Sequence, residues 1–174
     1  FLVKPFVYGE VCSPVEIDKT TERASPGYYS VSAGGVKTEI TVMRTAAIYR
    51  MEFPDRVEPK VLFDNQWIIQ SWGEKPNAQI IEKARITIGS DKSSFSAYHR
   101  VNGWAKGRDA YVFVKFDRQW TGVEALVDSH GEKGGRRLFV FPRGTKRLEM
   151  RLALSRTSEA AAEENLRQEL GTKS

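Results

Sequence analysis

The stretch that most constrains the fold is residues 24–53, ASPGYYSVSAGGVKTEITVMRTAAIYRMEF. It has a period of two. Val36, Thr38, Ile40 and Val42 alternate with Lys37, Glu39, Thr41 and Met43, and Ala47, Tyr49, Met51 and Phe53 alternate with Ile48, Arg50 and Glu52. In an extended chain each set lies on its own face. Pro26-Gly27 is a turn signal. Gly34-Gly35 supplies two positions that accept φ > 0, as a tight hairpin needs. The segment therefore predicts three consecutive antiparallel strands ending at Pro54. A slip of one residue would send the apolar set to solvent, so the register is well specified.

The rest of the chain repeats this grammar in shorter pieces. Phe1 to Tyr8 can form an edge strand, because Pro5 cannot donate within a central one. The polar run 13–25 reads as a loop. Short strands are expected at Val61–Phe63, Ile80–Gly89, Ser94–Trp104, Tyr111–Phe116, Val123–Val127, Leu138–Phe141 and Leu148–Leu154. The nearly unbroken apolar run YVFVKF at 111–116 suits a strand covered on both faces. The period then changes. Residues 155–171 hold Ala160, Ala161, Ala162, Leu166 and Leu170, with Thr157 or Ser158 as N-cap, early acids, and Gly171 where a C′ glycine belongs. About ten short strands before a single helix predict an all-β antiparallel β-sandwich over 1–154 with a C-terminal α-helix over 155–174.

A chain of 174 residues buries roughly 70% of its extended surface, enough for a core without covalent staples. Its one cysteine, Cys12, excludes an internal disulfide and a cysteine-based zinc site. No apolar run approaches the ~20 residues of a membrane span. The net charge of +5 is a mild bias, whereas nucleic-acid binders concentrate theirs. The chain opens at Phe1 without a signal peptide, which leaves secretion open.

Few residues point to chemistry. His99 and His130 have nothing at metal-ligand spacing around them. His99 is expected to be packed or hydrogen-bonded within a sheet, and His130 to sit in a solvated turn. No G-x-S-x-G elbow and no glycine-rich phosphate loop is present, and no pair of acids can be nominated for glycoside hydrolysis. The basic stretch 132–147, with Lys133, Arg136, Arg137, Arg143, Lys146 and Arg147, reads either as an anion patch or as solvated strand ends around Leu138–Phe141. Trp67, Trp72, Trp104 and Trp120 fall at strand ends. They could stack on sugar rings or plug the ends of the core.

Several segments, in order, resemble the N-terminal domain of glycoside hydrolase family 92. PGYYSV (Pro26–Val31) is similar to the family's Pro-Gly-Tyr-Tyr-x-Val strand. Glu39–Thr41 and Tyr49–Pro54 are similar to its Glu-Leu-Thr and aromatic-Arg-x-x-Phe-Pro strands. AYHRVNGWA with YVFVKF, and the SRTSEAAAEENLRQEL segment, are similar to its later motifs. Tyr49 stands where the family usually has His, and Ala97 where it has Gly. The resemblance implies a galactose mutarotase-like supersandwich, and a parent protein that is a calcium-dependent, inverting, exo-acting α-1,2-mannosidase. It implies that the catalytic acids and the calcium ligands belong to a C-terminal (α/α)6 catalytic domain, with no catalytic residue, metal or cofactor in this chain. It further implies α-mannoside glycans as partners, no nucleic acid, and a secreted, periplasmic or cell-surface location. Arg100 and Trp104 are the candidates for sugar binding or the domain interface. The alternatives are a free-standing carbohydrate-binding sandwich and a basic polyanion-binding β-domain.

Overall fold

The structure is a computed structural model; it describes residues 1–11, 13–67, 80–103, 105–127 and 134–171. These form two antiparallel sheets and one helix. The strands are β1 (Leu2–Phe6), β2 (Ile17–Ser25), β3 (Tyr28–Ala33), β4 (Val36–Val42), β5 (Ala46–Glu52), β6 (Lys60–Asp64), β7 (Ile80–Ile88), β8 (Ser94–Asn102), β9 (Arg108–Phe116), β10 (Gly122–Ala125), β11 (Arg136–Val140) and β12 (Arg147–Ser155), followed by α1 (Glu159–Leu170). The small sheet runs β1-β6-β11-β10 and the large one β2-β3-β4-β5-β12-β9-β8-β7.

The three-strand meander appears as expected. β3 pairs with β4 and β4 with β5 in unbroken register, Val31 opposite Thr38 and Ile40 opposite Tyr49. Gly34 and Gly35 take φ of 56° and 78°, a conformation that most side chains resist. β1 is an edge strand, as Pro5 requires. The run expected as a loop at 13–25 is instead mostly β2, the outermost strand of the large sheet. Its charged composition hid it. An edge strand exposed on both sides needs no apolar face, and its charges guard the open edge against pairing with other chains. Its register also shifts between Asp18 and Arg23.

The main core lies between the sheets. Phe63 and Phe139 of the small sheet meet Phe95 and Phe116 of the large one, with Phe95 stacked on Phe139 at 4.8 Å and edge-on to Phe63 at 4.9 Å. A second cluster covers the outer face of the small sheet with Phe6, Leu62 and Leu138. The helix builds a third on the outer face of the large sheet. Leu166 packs there on Ala46 and Ala153, with Phe113 and Leu170 at its margin. β9 is thus covered on both faces, Val112 and Val114 inward and Phe113 outward, which explains its unbroken apolar run. Ser158 caps α1 by accepting from the Ala161 N–H at 3.0 Å, and the Gly171 N–H returns to the Arg167 carbonyl. The Glu169 carboxylate accepts from the Thr45 N–H and hydroxyl, tying the helix to the β4–β5 turn.

Candidate functional site

The β8–β9 hairpin carries Arg100, one of the two residues singled out from sequence. Phe95 and Ala97 of β8 point into the core, so the alternation sends Tyr98, Arg100 and Asn102 to the outer face. Arg100 lies across from Asp109 of β9. Its guanidinium reaches Asp109 at 3.5 Å and Glu82 of β7 at 3.3 Å. Asn102 donates to Glu82 and accepts from the Gly107 N–H. Gly107 stands so close that a Cβ there would lie 2.6 Å from the guanidinium. The Tyr98 hydroxyl donates to Asp109 at 2.8 Å, which raises its pKa. Arg85 lies over the Tyr98 ring and reaches Glu159 of the helix at 2.8 Å. The result is a polar surface of paired charges and hydroxyls. Its two acids share one guanidinium and do not face each other across an open sugar site. Trp104 lies outside the described residues, as do Trp72 and His130.

His99 points to the other side. Its Nδ1 lies 2.9 Å from Oδ1 of Asn65, which is fully buried and whose amide donates to the Tyr98 carbonyl at 2.8 Å. Burial is the first cause that lowers the imidazole pKa to about 4, so the ring is neutral near pH 7. The histidine held within a sheet, as expected from sequence, is what is found. Asn65 was legible only as the end of a short strand; its partners come from β7 and β8, which no local pattern reveals.

The tryptophans divide. Trp120 is a core plug, 6% exposed and packed on Phe139 at 5.0 Å. Trp67 is 45% exposed and lines a cleft of about 480 Å³ beside β1, with Leu2, Ile40 and Tyr49 among the other lining residues. Asp64, buried at the same cleft, is held by the Arg136 guanidinium through two contacts of 2.9 Å. The basic stretch resolves into partnered groups. Besides Arg136, Lys146 pairs with Asp55, Arg147 with Glu52, and Arg143 donates to the Arg56 carbonyl. Arg137 donates to the Arg136 carbonyl. The described part of 132–147 is therefore a set of strand ends tied to acids and carbonyls. Among the described residues no three His, Cys, Asp or Glu converge as metal ligands, and no helix is long and apolar enough to cross a membrane.

The family model of the glycosyl hydrolase family 92 N-terminal domain matches residues 10–155, nearly the whole sandwich. The chain belongs to this family. The fold of family 92 members agrees with that assignment. The family GH92 alpha-mannosidase BT3965 from Bacteroides thetaiotaomicron matches at TM-score 0.77 and 20% identity, over 99% of this chain and 26% of that one. The family GH92 inverting mannosidase BT2199 from Bacteroides thetaiotaomicron VPI-5482 matches at TM-score 0.74 and 18% identity, over 98% and 24%. The family glycosyl hydrolase ccman5 matches at TM-score 0.74 and 18% identity, over 99% and 26%. This chain thus spans about a quarter of the length of those family 92 proteins. No curated protein matches the sequence.

Proposed function

We propose that this chain is the N-terminal, non-catalytic sandwich of an exo-acting, inverting α-mannosidase selective for α-1,2-linked mannosides. In this reading it packs against an (α/α)6 domain that holds the catalytic acids, and helps wall the mannose pocket. The observation that carries the reading is the match of an N-terminal-domain family model to 146 consecutive residues, 10–155, within a fold that fills only about a quarter of two proteins described as mannosidases.

The calcium implied by the resemblance does not fit the described residues of this chain, since they bring no three candidate ligands together. Calcium wants six to eight oxygens, and we assign it to the helical domain. Arg100 and Trp104 are proposed for the pocket rim or the domain interface. Arg100 is held in place by Glu82 and Asp109. Export to the periplasm, cell surface or medium goes with this reading on the family resemblance alone.

The test is an assay on α-1,2-linked mannobiose with calcium, with calorimetry of mannose binding alongside. The 174-residue chain should show neither turnover nor binding, while the longer protein that contains it should turn over and lose activity on chelation. Turnover by the short chain would place the catalytic acids within it. Binding without turnover would make it a carbohydrate-binding module, with exposed Trp67 the first residue to replace.

A further inference from the structure

The β4–β5 turn differs from other short turns of this sandwich. Those at Pro26-Gly27, Gly34-Gly35 and 89–93 are made of proline, glycine and polar or charged residues, as solvated turns usually are. The β4–β5 turn instead follows Val42 with Met43 and Arg44. Val42 is 52% and Met43 36% exposed. The Met43 N–H donates to the Ala46 carbonyl, and the Leu154 N–H donates to the Thr45 carbonyl, both at 2.8 Å. Leu154 of β12, 40% exposed, is thereby held beside the turn. Alternation places Val42 and Leu154 on the core side of the large sheet. Val36 of β4 and Leu148, Met150 and Leu152 of β12 face the core in the same rows, and Val42 and Leu154 continue those rows beyond it. The apolar layer thus runs out into solvent at one end of the sandwich.

The last turn of α1 lies at the same corner. The Glu169 carboxylate accepts from the Thr45 N–H at 3.0 Å. Arg44, whose side chain is 91% exposed, lies 4.0 Å from that carboxylate. In the reading proposed above, the polypeptide runs on beyond α1 and leaves the sandwich here. The β8–β9 hairpin rises at this end too, since Tyr111 of β9 faces Ser155 of β12 and Asp109 faces Arg100.

We propose that this corner is where the sandwich docks on the domain that follows α1 in the same polypeptide, with Val42, Met43 and Leu154 as its apolar contact. Interfaces between domains of one chain bury roughly 600–1,500 Å² in all, a footprint about 20 Å across on each side. β4, β5, β12, β9 and β8 are successive strands of the large sheet. Four spacings of about 4.8 Å therefore bring the β8–β9 hairpin and Arg100 to the far side of the same footprint. A sugar needs hydrogen-bonding groups, which these three side chains do not offer. The same polypeptide supplies the partner because the similar structures are about four times as long as the part this chain matches, and a tethered domain meets the corner at high effective concentration. The inference rests on reading this chain as one domain of a longer protein.

The test compares the 174-residue chain with that longer protein. Arg44→Cys is made in a Cys12→Ser background, and maleimide labelling at position 44 is followed under native conditions by peptide mass spectrometry. Ile17→Cys in the same background is the control. Ile17 is 48% exposed and pairs with Ala33 beside the Gly34-Gly35 turn, at the opposite end of the sheet. Labelling at position 44 should be slower by about tenfold or more in the longer protein, and labelling at position 17 equal in the two forms. Met43→Glu puts a charge into the apolar contact. It should restore fast labelling at position 44 in the longer protein and leave the urea midpoint of the short chain unchanged. Equal labelling at position 44 in both forms overturns the proposal. Protection that Met43→Glu leaves intact overturns it, as does slowing at position 17 together with position 44. Protection that grows in the short chain with its concentration would make a second copy the occupant, and that too overturns the proposal. Mannosidase activity of the longer protein is scored separately, so failure of the docking inference and failure of the functional reading can be told apart.

Discussion

Asp91 shows how a single residue shapes this molecule. It sits in the β7–β8 turn and accepts from the N–H and hydroxyl of both Ser93 and Ser94, at 2.8 to 3.1 Å. Partial burial pushes its pKa up, but these four bonds outweigh it and hold the carboxyl at about 2. The folded pKa lies below the unfolded one, so the stabilisation is present above about pH 4 and is lost as pH falls toward 2. Asp91→Asn keeps the shape but weakens the acceptor, and should lower stability at pH 7 by about 1 kcal/mol. The gap between variant and parent in urea unfolding should close as pH drops from 4 to 2. Arg100 behaves differently. Both of its ion pairs are about 40% exposed on the arginine side, and such pairs contribute roughly 0–1 kcal/mol. Arg100→Ala should therefore leave the urea midpoint of the chain almost unchanged. If Arg100 touches substrate or the catalytic domain, the same change should lower kcat/KM of the longer protein by about tenfold or more. A large stability loss without that effect would make it a structural residue.

Among the elements, α1 is the one whose attachment can be dissected. Its short apolar stripe, Ala162 and Leu166, is buried, and Leu166 packs on Ala46 and Ala153. A twelve-residue helix is marginal alone, so tertiary packing has to hold it. Leu166→Ala removes most of that contact and should cost about 2–4 kcal/mol in thermal or urea unfolding. Ser158→Ala removes the cap and should cost about 1 kcal/mol, read as a loss of helical circular dichroism before global unfolding. The two effects should add, because cap and stripe share no partner. The β3–β4 hairpin depends on Gly35, whose φ of 78° leaves room for a side chain but not the backbone conformation most residues prefer. Gly35→Val should cost about 1–2 kcal/mol through that strain alone.

At the scale of the whole molecule, the aromatic cluster joins the two sheets. Phe95 of the large sheet touches Phe63 and Phe139 of the small one and Phe116 beside it. Phe95→Ala should cost about 3–5 kcal/mol, a large part of the roughly 5–15 kcal/mol that holds a domain of this size together. The variant should unfold at a much lower urea concentration in one transition, both sheets together. A first phase that melts only one sheet would contradict a shared core. Much of this architecture was legible from sequence. Alternation and glycine turns specify local backbone and which side of a strand is apolar, and both act over a few residues. The meander from Tyr28 to Glu52, the edge position of β1 and the helix, with Thr157 or Ser158 as its expected cap, followed from such patterns, and membership of family 92 followed from the order of its motif segments. β2 escaped because an exposed edge strand carries no apolar signature. What only the tertiary structure decided are the long-range meetings: Asn65 against His99, Asp64 against Arg136, Trp120 in the core while Trp67 stays exposed, and eight strands over four with an apolar cleft left beside β1. Those depend on which strands become neighbours, and the period of a strand says which face is apolar without saying what will cover it.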